Sequence, residues 1–293
     1  MYAQFFGTFL LSHNVVTKDQ LLSALGKKSS QHMKLGTLAI MKGYMTANEV
    51  DNVIISQTHN DCRFGDLAVR EGYLTQEQVD ELVKTQYPLL LGQTLVDEGY
   101  ITNTQLETLI VDYESENELT DLDYSNEKQD DLDRILANFF HTTDVAADEY
   151  NASYMRLLFN NMTRFIGDDF TPLCFNPCKE YPVNYCVSQT IHGDLSAKVY
   201  LDMPETTCIS FASRYVNEEF TEFDEYVQAS LEDFLNLHNG LYNVNISNTL
   251  GKELTLEAPE VVSDELIELS SSSYLLQVMY PFGVVNFIFE LKK

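Results

Sequence analysis

Asp233 and Asn236 are the side chains of this sequence whose types and spacing suggest chemistry. They lie three apart in Ser230-Leu231-Glu232-Asp233-Phe234-Leu235-Asn236-Leu237-His238-Asn239-Gly240, where Leu231, Phe234, Leu235 and Leu237 recur at helical spacing. Residues three apart on a helix project from one face. A carboxylate accepts a proton and a carboxamide both donates and accepts, so the pair can hold a water molecule and orient it for attack. An ordinary solvated helix face is the alternative, because its residue types are the same. The elements around this helix bear on the choice.

Ala152 to Ile166 carries Met155, Leu157, Leu158, Met162 and Phe165 at helical spacing and ends at Gly167. After a proline-containing loop, Tyr185–Ile191 and Leu195–Met203 read as strands joined by a turn at Gly193-Asp194. Thr206–Tyr215 opens an apolar element, and the central helix is expected from about Glu225 to His238. Tyr242–Ser247, Glu253–Leu256, Leu266–Leu269, Tyr274–Met279 and Gly283–Leu291 read as strands. The order implies an α+β domain with helices packed on an antiparallel sheet. Cys174, Cys178 and Cys186 invite a zinc reading, but no fourth ligand stands at zinc-site spacing.

Ile191-His192-Gly193-Asp194-Leu195-Ser196-Ala197-Lys198-Val199-Tyr200-Leu201 resembles the Gly-Asp hairpin of the CheX/CheC family of chemotaxis phosphatases, and Asp233-x-x-Asn236-x-x-x-Gly240 resembles its Glu-x-x-Asn-x-x-x-Gly signature. The resemblance spans about residues 150–293. It implies hydrolysis of the aspartyl-phosphate of a CheY-type response regulator in two-component signalling. Asp233 would orient the water, and Asn236 would hydrogen-bond it or the phosphoryl group. Mg2+ would enter only through the partner receiver. Asp233 is one methylene shorter than the family's glutamate. A second acid–asparagine motif would align near Asn160-Asn161, where no acid precedes at the right spacing, so one site is implied.

The first third is a fourfold repeat. Phe6-Gly7, Leu35-Gly36, Phe64-Gly65 and Leu91-Gly92 open units spaced 29, 29 and 27 residues apart. Seven residues after each glycine stands Asn14, Gly43, Gly72 or Gly99, types that tolerate the left-handed conformation ending a helix. Thr17, Thr46, Thr75 and Thr102 follow, each with Gln20, Glu49, Gln78 or Gln105 three residues on, a capping box that starts a second helix. Leu21 and Leu25, Val50 and Ile54, Val79 and Val83, and Leu106 and Ile110 mark the apolar faces of these second helices. An all-α helical repeat domain is expected.

The pattern Lys34-Leu35-Gly36…Gly43-Tyr44-Met45…Val50…Gln57, recurring as Arg63-Phe64-Gly65…Gly72-Tyr73-Leu74…Val79…Gln86, resembles the MshEN domain of type II secretion and type IV pilus ATPases. The resemblance implies cyclic di-GMP as an effector, held by Lys34, Leu35, Gly36 and Gln57 and by Arg63, Phe64, Gly65 and Gln86. Glycine lets backbone approach a phosphate at a helix start, and arginine can pair with guanine or phosphate. A purely structural or protein-docking repeat is the alternative.

Between the halves, acidic residues crowd from Glu114 to Glu149 against only Lys128 and Arg134. Such a block repels itself and extends. Leu132, Ile135, Leu136, Phe139 and Phe140 recur within it at helical spacing, so a helix is expected from about Asp130. The expected organisation is therefore multidomain: 1–113 helical repeats, 114–149 acidic linker with a helix, and 150–293 the α+β domain.

The 293 residues carry a net charge of −27, which argues against nucleic acid and anionic lipid as partners. The N-terminus shows no basic region or cleavage site of a signal peptide, and Tyr274 to Leu291 is interrupted by Gln277, Pro281, Gly283 and Asn286, unlike a membrane span. Five cysteines without a secretion signal suit reduced thiols and a cytoplasmic location. The two resemblances imply a bacterial signalling phosphatase, with a non-catalytic adaptor or a cyclic di-GMP-responsive binding module in chemotaxis and motility signalling as the rivals. The oligomeric state is open, a homodimer included.

Overall fold

In the computed structural model, residues 2–27, 34–57, 63–84, 91–117, 136–137, 139 and 149–292 are described. The chain divides into two compact units, Tyr2–Arg134 and Ile135–Lys293.

The described part of the first unit is helical: α1 (Tyr2–Ser12), α2 (Lys18–Gly26), α3 (Leu35–Met41), α4 (Ala47–Gln57), α5 (Phe64–Arg70), α6 (Gln76–Lys84), α7 (Leu91–Asp97) and α8 (Asn103–Glu116). Asn14, Gly43, Gly72 and Gly99 follow α1, α3, α5 and α7 at φ of 55°, 65°, 82° and 72°. Thr17, Thr46, Thr75 and Thr102 each accept from the backbone N–H three residues on, whose side chain accepts from the threonine N–H in return. Polar termini are thus satisfied within each helix pair, which leaves the apolar faces to pack.

Glycines open α3, α5 and α7 for a packing reason. A Cβ on Gly36 would lie 2.7 Å from Val50 Cγ1, one on Gly65 3.0 Å from Val79 Cγ1, and one on Gly92 2.6 Å from Leu106 Cδ1. The short helix rests directly on the longer one that follows it. Leu106 and Ile110 are buried as expected, Val83 lies outside the described side chains, and in α2 and α4 the second core position differs from the expected one. Ile54 is 42% exposed, whereas Val53 beside it is fully buried, and Ala24 and Leu82 hold the same offset from Leu21 and Val79. Offsets of three and four share one helix face, and the neighbouring helix decides which is covered.

In the second unit, α9 (Glu149–Phe165), α10 (Glu205–Val216) and α11 (Glu225–Leu250) accompany an antiparallel sheet. Its order is β1 (Thr171–Pro172), β9 (Ser273–Tyr280), β10 (Gly283–Lys292), β5 (Ser196–Met203), β4 (Tyr185–Gly193) and β6 (Leu254–Leu256). β2 (Asn176–Pro177) also pairs with β9, and β7 (Glu260–Ser263) with β4. Strand alternation divides the residues between two faces. Val187, Gln189 and Ile191 of β4 share one face. On the other, Cys186, Tyr200 and Ile288 pack with Tyr181 and Ile267 of a separate two-stranded sheet, β3 (Glu180–Pro182) with β8 (Leu266–Glu268).

The expected strand Tyr242–Ser247 is instead part of α11, which runs unbroken past His238 and Gly240 to Leu250. Tyr242 and Ile246 are buried while Val244 between them is 57% exposed. Alternation over three residues is common to a strand and to one turn of an amphipathic helix, so the local pattern misleads. The stop is Gly251, left-handed at φ 63°. β7 and the short β1, β2 and β3 are elements the sequence pattern does not disclose.

Leu136 and Phe139 are helical and buried, Phe139 against the rings of Phe159 and Phe175. The rest of the expected acidic linker lies mostly outside the described residues, as does Gln86. No helix among the described residues is long and apolar enough to cross a membrane. Cys174, Cys178, Cys186 and Cys208 are free thiols.

Gly193 sits at φ 125°, and a Cβ there would stand 2.3 Å from the Glu253 carbonyl oxygen of the adjoining strand region. Gly193→Ala should lower stability by about 2–4 kcal/mol through backbone strain and loss of the β4–β6 pairing. Amide hydrogen exchange across β4 and β6 measures the loss.

Candidate functional site

Helix α11 begins at Asp224, whose side chain accepts from the N–H groups of Tyr226 and Val227. From there Val227, Leu231, Phe234, Leu235, His238, Tyr242 and Ile246 form its buried face. Phe234 meets the Phe211 ring of α10 edge-on at 5.0 Å, and Tyr242 meets Tyr154 of α9 at 4.8 Å. Burial of this stripe leaves Asp233 and Asn236 exposed on the opposite face. The structure therefore brings the two predicted residues together at the surface.

Each is held by a side chain from another element. Tyr215 of α10 donates its hydroxyl to Asp233 Oδ2 at 2.6 Å. Partial burial raises the Tyr215 pKa, and the bond to Asp233 raises it further, so the hydroxyl keeps its proton and acts as donor. Gln189 of β4 donates from Nε2 to Asn236 Oδ1 at 2.8 Å. Asn239, fully buried one turn beyond, donates to Gln189 Oε1 at 2.8 Å and accepts from the Tyr154 hydroxyl at 2.7 Å. Asp233 thus keeps Oδ1 toward solvent, and Asn236 keeps Nδ2.

Tyr215, Gln189 and Asn239 were not singled out from sequence. Gln189 carries one signal: it is a polar residue in the apolar row Val187, Gln189, Ile191 of a strand that packs beneath a helix. Asn160 is exposed, while Asn161 is buried and donates to His238 Nδ1 at 3.0 Å.

The field around the pair is acidic. Glu218, Glu219, Glu222, Asp224, Glu225 and Glu232 precede or flank it, and the sequence has no lysine or arginine between Arg214 and Lys252. Arg214 is bound to Asp169 through its two terminal guanidinium nitrogens, at 2.5 and 2.9 Å, and donates from Nη1 to the Ile166 carbonyl. Lys252 pairs with Asp194 at 3.6 Å. No group of three or more His, Cys, Asp or Glu residues is placed to hold a metal among the described residues.

In the helical unit, Lys34 is the N-cap of α3 and pairs with Asp97. Arg63 is the N-cap of α5, is exposed, and makes no ion pair among the described residues. Leu35 and Phe64 are half-buried and pack against the core around Leu38, Val50 and Val79. Gly36 and Gly65 have the packing role given above, and Gln57 ends α4 half-buried.

Residues 185–283 match the family model of the chemotaxis phosphatase CheX. This stretch is a CheX-like domain. It includes Gln189, Tyr215, Asp233, Asn236 and Asn239. Similar solved structures include a chemotaxis protein CheX from Desulfovibrio desulfuricans, 12% identical, which covers 50% of this chain and 100% of its own with a TM-score of 0.43. A CheC-like superfamily protein from Shewanella sp. PV-4 is 14% identical, with the same coverage and a TM-score of 0.44. A CheX–CheY–BeF3–Mg2+ complex from Borrelia burgdorferi is 14% identical, covering 50% of this chain and 99% of its own at a TM-score of 0.41. No curated protein matches the chain.

Directly behind the pair, His238 is fully buried and its pKa is lowered by burial to about 3. In the unfolded chain the imidazole titrates near 6.5, so between those values the unfolded state binds the extra proton and stability falls as pH falls. From pH 7 to pH 5 the wild type should lose about 2 kcal/mol more stability than His238→Leu, which has no group to protonate. Denaturant unfolding at the two pH values compares them.

Proposed function

We propose that the CheX-like domain hydrolyses the aspartyl-phosphate of a CheY-type response regulator, with Asp233 and Asn236 as its catalytic residues. What carries the reading is that this acid and this amide stand exposed on one face of α11, within the stretch that matches the phosphatase family, each held by a hydrogen bond from a neighbouring element. Asp233 Oδ1 accepts a proton of the attacking water while Tyr215 holds the carboxylate in place. Asn236 Nδ2 donates to the water or to a phosphoryl oxygen. The water oxygen bonds to phosphorus as the bond to the receiver's aspartate breaks, releasing inorganic phosphate and restoring the carboxylate. Mg2+ bound by the receiver neutralises phosphoryl charge. The chain's own contribution is positioning, the main lever in phosphoryl transfer. The acidic surroundings call for a receiver with basic residues on its docking face.

Loss of phosphate from a receiver labelled with acetyl phosphate should accelerate when the protein is added. Asn236→Ala should slow the accelerated rate by about 100-fold, and Asp233→Glu, which adds the missing methylene, should raise it. A labelled receiver that binds the protein yet keeps its phosphate would leave the adaptor reading in its place.

For the helical unit, Arg63 favours a ligand role, being an exposed cation at a helix start without an ion pair among the described residues. We infer that a cyclic dinucleotide such as cyclic di-GMP docks there as an effector. Calorimetry with cyclic di-GMP should show binding that Arg63→Ala weakens at least about tenfold, the scale of one lost charge-assisted contact. Equal heats from both proteins, or none from wild type, would remove the effector.

A further inference from the structure

Gln189 is 1% exposed in the middle of β4, and each end of its carboxamide is in use. Nε2 lies 2.8 Å from Asn236 Oδ1 and 2.8 Å from the backbone oxygen of Glu257, while Oε1 lies 2.8 Å from Asn239 Nδ2. An amide's oxygen and nitrogen are distinguished by their hydrogen bonds, and here one partner leaves no choice. A backbone carbonyl only accepts, so the end of Gln189 facing Glu257 must be its NH2. The atom of Asn236 that meets the same NH2 must then be its oxygen. By the same reasoning Asn239 turns its NH2 to Gln189 and its oxygen to Tyr154, whose hydroxyl donates. The Glu257 carbonyl thereby fixes the polarity of three amides and a phenol.

We propose that Gln189 is a positioning residue that locks the Asn236 carboxamide with its NH2 outward, so that the site offers a donor to an anionic oxygen and not an acceptor to a cation. This rests on the phosphatase reading for its consequence, though not for its geometry. An exposed asparagine without such a partner turns freely between two orientations, one of which points a lone pair at the phosphoryl oxygens. With Gln189 in place, the reversed orientation sets NH2 against NH2. Asn236 Nδ2 has no partner among the described residues, which leaves both its hydrogens for a ligand.

The first test needs no variant. In 15N,13C-labelled wild type, a long-range HNCO experiment should show a cross-peak from Gln189 Nε2 to Asn236 Cγ, carried through the hydrogen bond. A peak from Asn236 Nδ2 to Gln189 Cδ would overturn the assignment, as would the absence of both. The second test uses Gln189→Glu, which keeps the shape but presents only acceptors when ionised and a single O–H donor when protonated, and Gln189→Met, which removes the clamp without adding charge. With a CheY-type receiver phosphorylated by acetyl phosphate, both should lower kcat by roughly 10- to 100-fold, with KM changed less than about threefold, the pattern of lost orientation and not lost docking. In Gln189→Glu the Asn236 side-chain amide resonances should also shift as its NH2 turns inward. Variants with wild-type kcat, in a protein that Asn236→Ala disables, would sink the clamp and leave the phosphatase standing. A wild type without phosphatase activity that still shows the cross-peak would do the reverse.

Discussion

Helix α11 can bury only one side against the sheet and its companion helices, and this constraint sets the surface of the second unit. Nine residues from Val227 to Ile246 take the inward stripe, and the helical period then leaves Asp233 and Asn236 outward whatever their chemistry. Packing of Phe234 on Phe211 and of Tyr242 on Tyr154 fixes the rotation of the helix about its axis. A rotation of one residue, about 100°, would set Asp233 in the buried place that Phe234 now holds. The apolar stripe thus aims the polar pair, and the two side-chain hydrogen bonds refine what it aims.

How far the sequence disclosed this follows from the range of each interaction. The acid–amide pair, the hairpin around Gly193-Asp194 and the four threonine caps are encoded within a few residues, and local spacing reveals them. The end of α11 is not legible locally because Tyr242, Val244 and Ile246 fit a strand and a helix equally, and only the packing of the folded domain separates the two. Gln189 and Tyr215 lie 47 and 18 residues from the groups they bind, so their roles exist only once β4 and α10 are stacked on α11. A buried polar residue in an apolar strand row was the one local trace.

The helical unit shows how a single residue type can answer two different demands. Glycines at the starts of α3 and α5 fit both a backbone approach to phosphate and a close crossing of helices. The short Cβ distances to Val50 and Val79 account for them by the second alone. Lys34 and Arg63, equivalent in the repeat, part company in the structure: Asp97 engages the lysine, and the arginine stays open to solvent. Repetition in sequence does not enforce equivalence where a later helix supplies a partner to one copy only.

The caps of α11 have a further consequence. Asp224 closes one end, left-handed Gly251 closes the other, and the helix between them is continuous through 26 residues. Aspartate and asparagine are among the shorter polar side chains, and here each is already tethered to a neighbouring element. A protein that settles on this surface therefore has little left to immobilise, and most of the ordering entropy of association falls on the visitor's side.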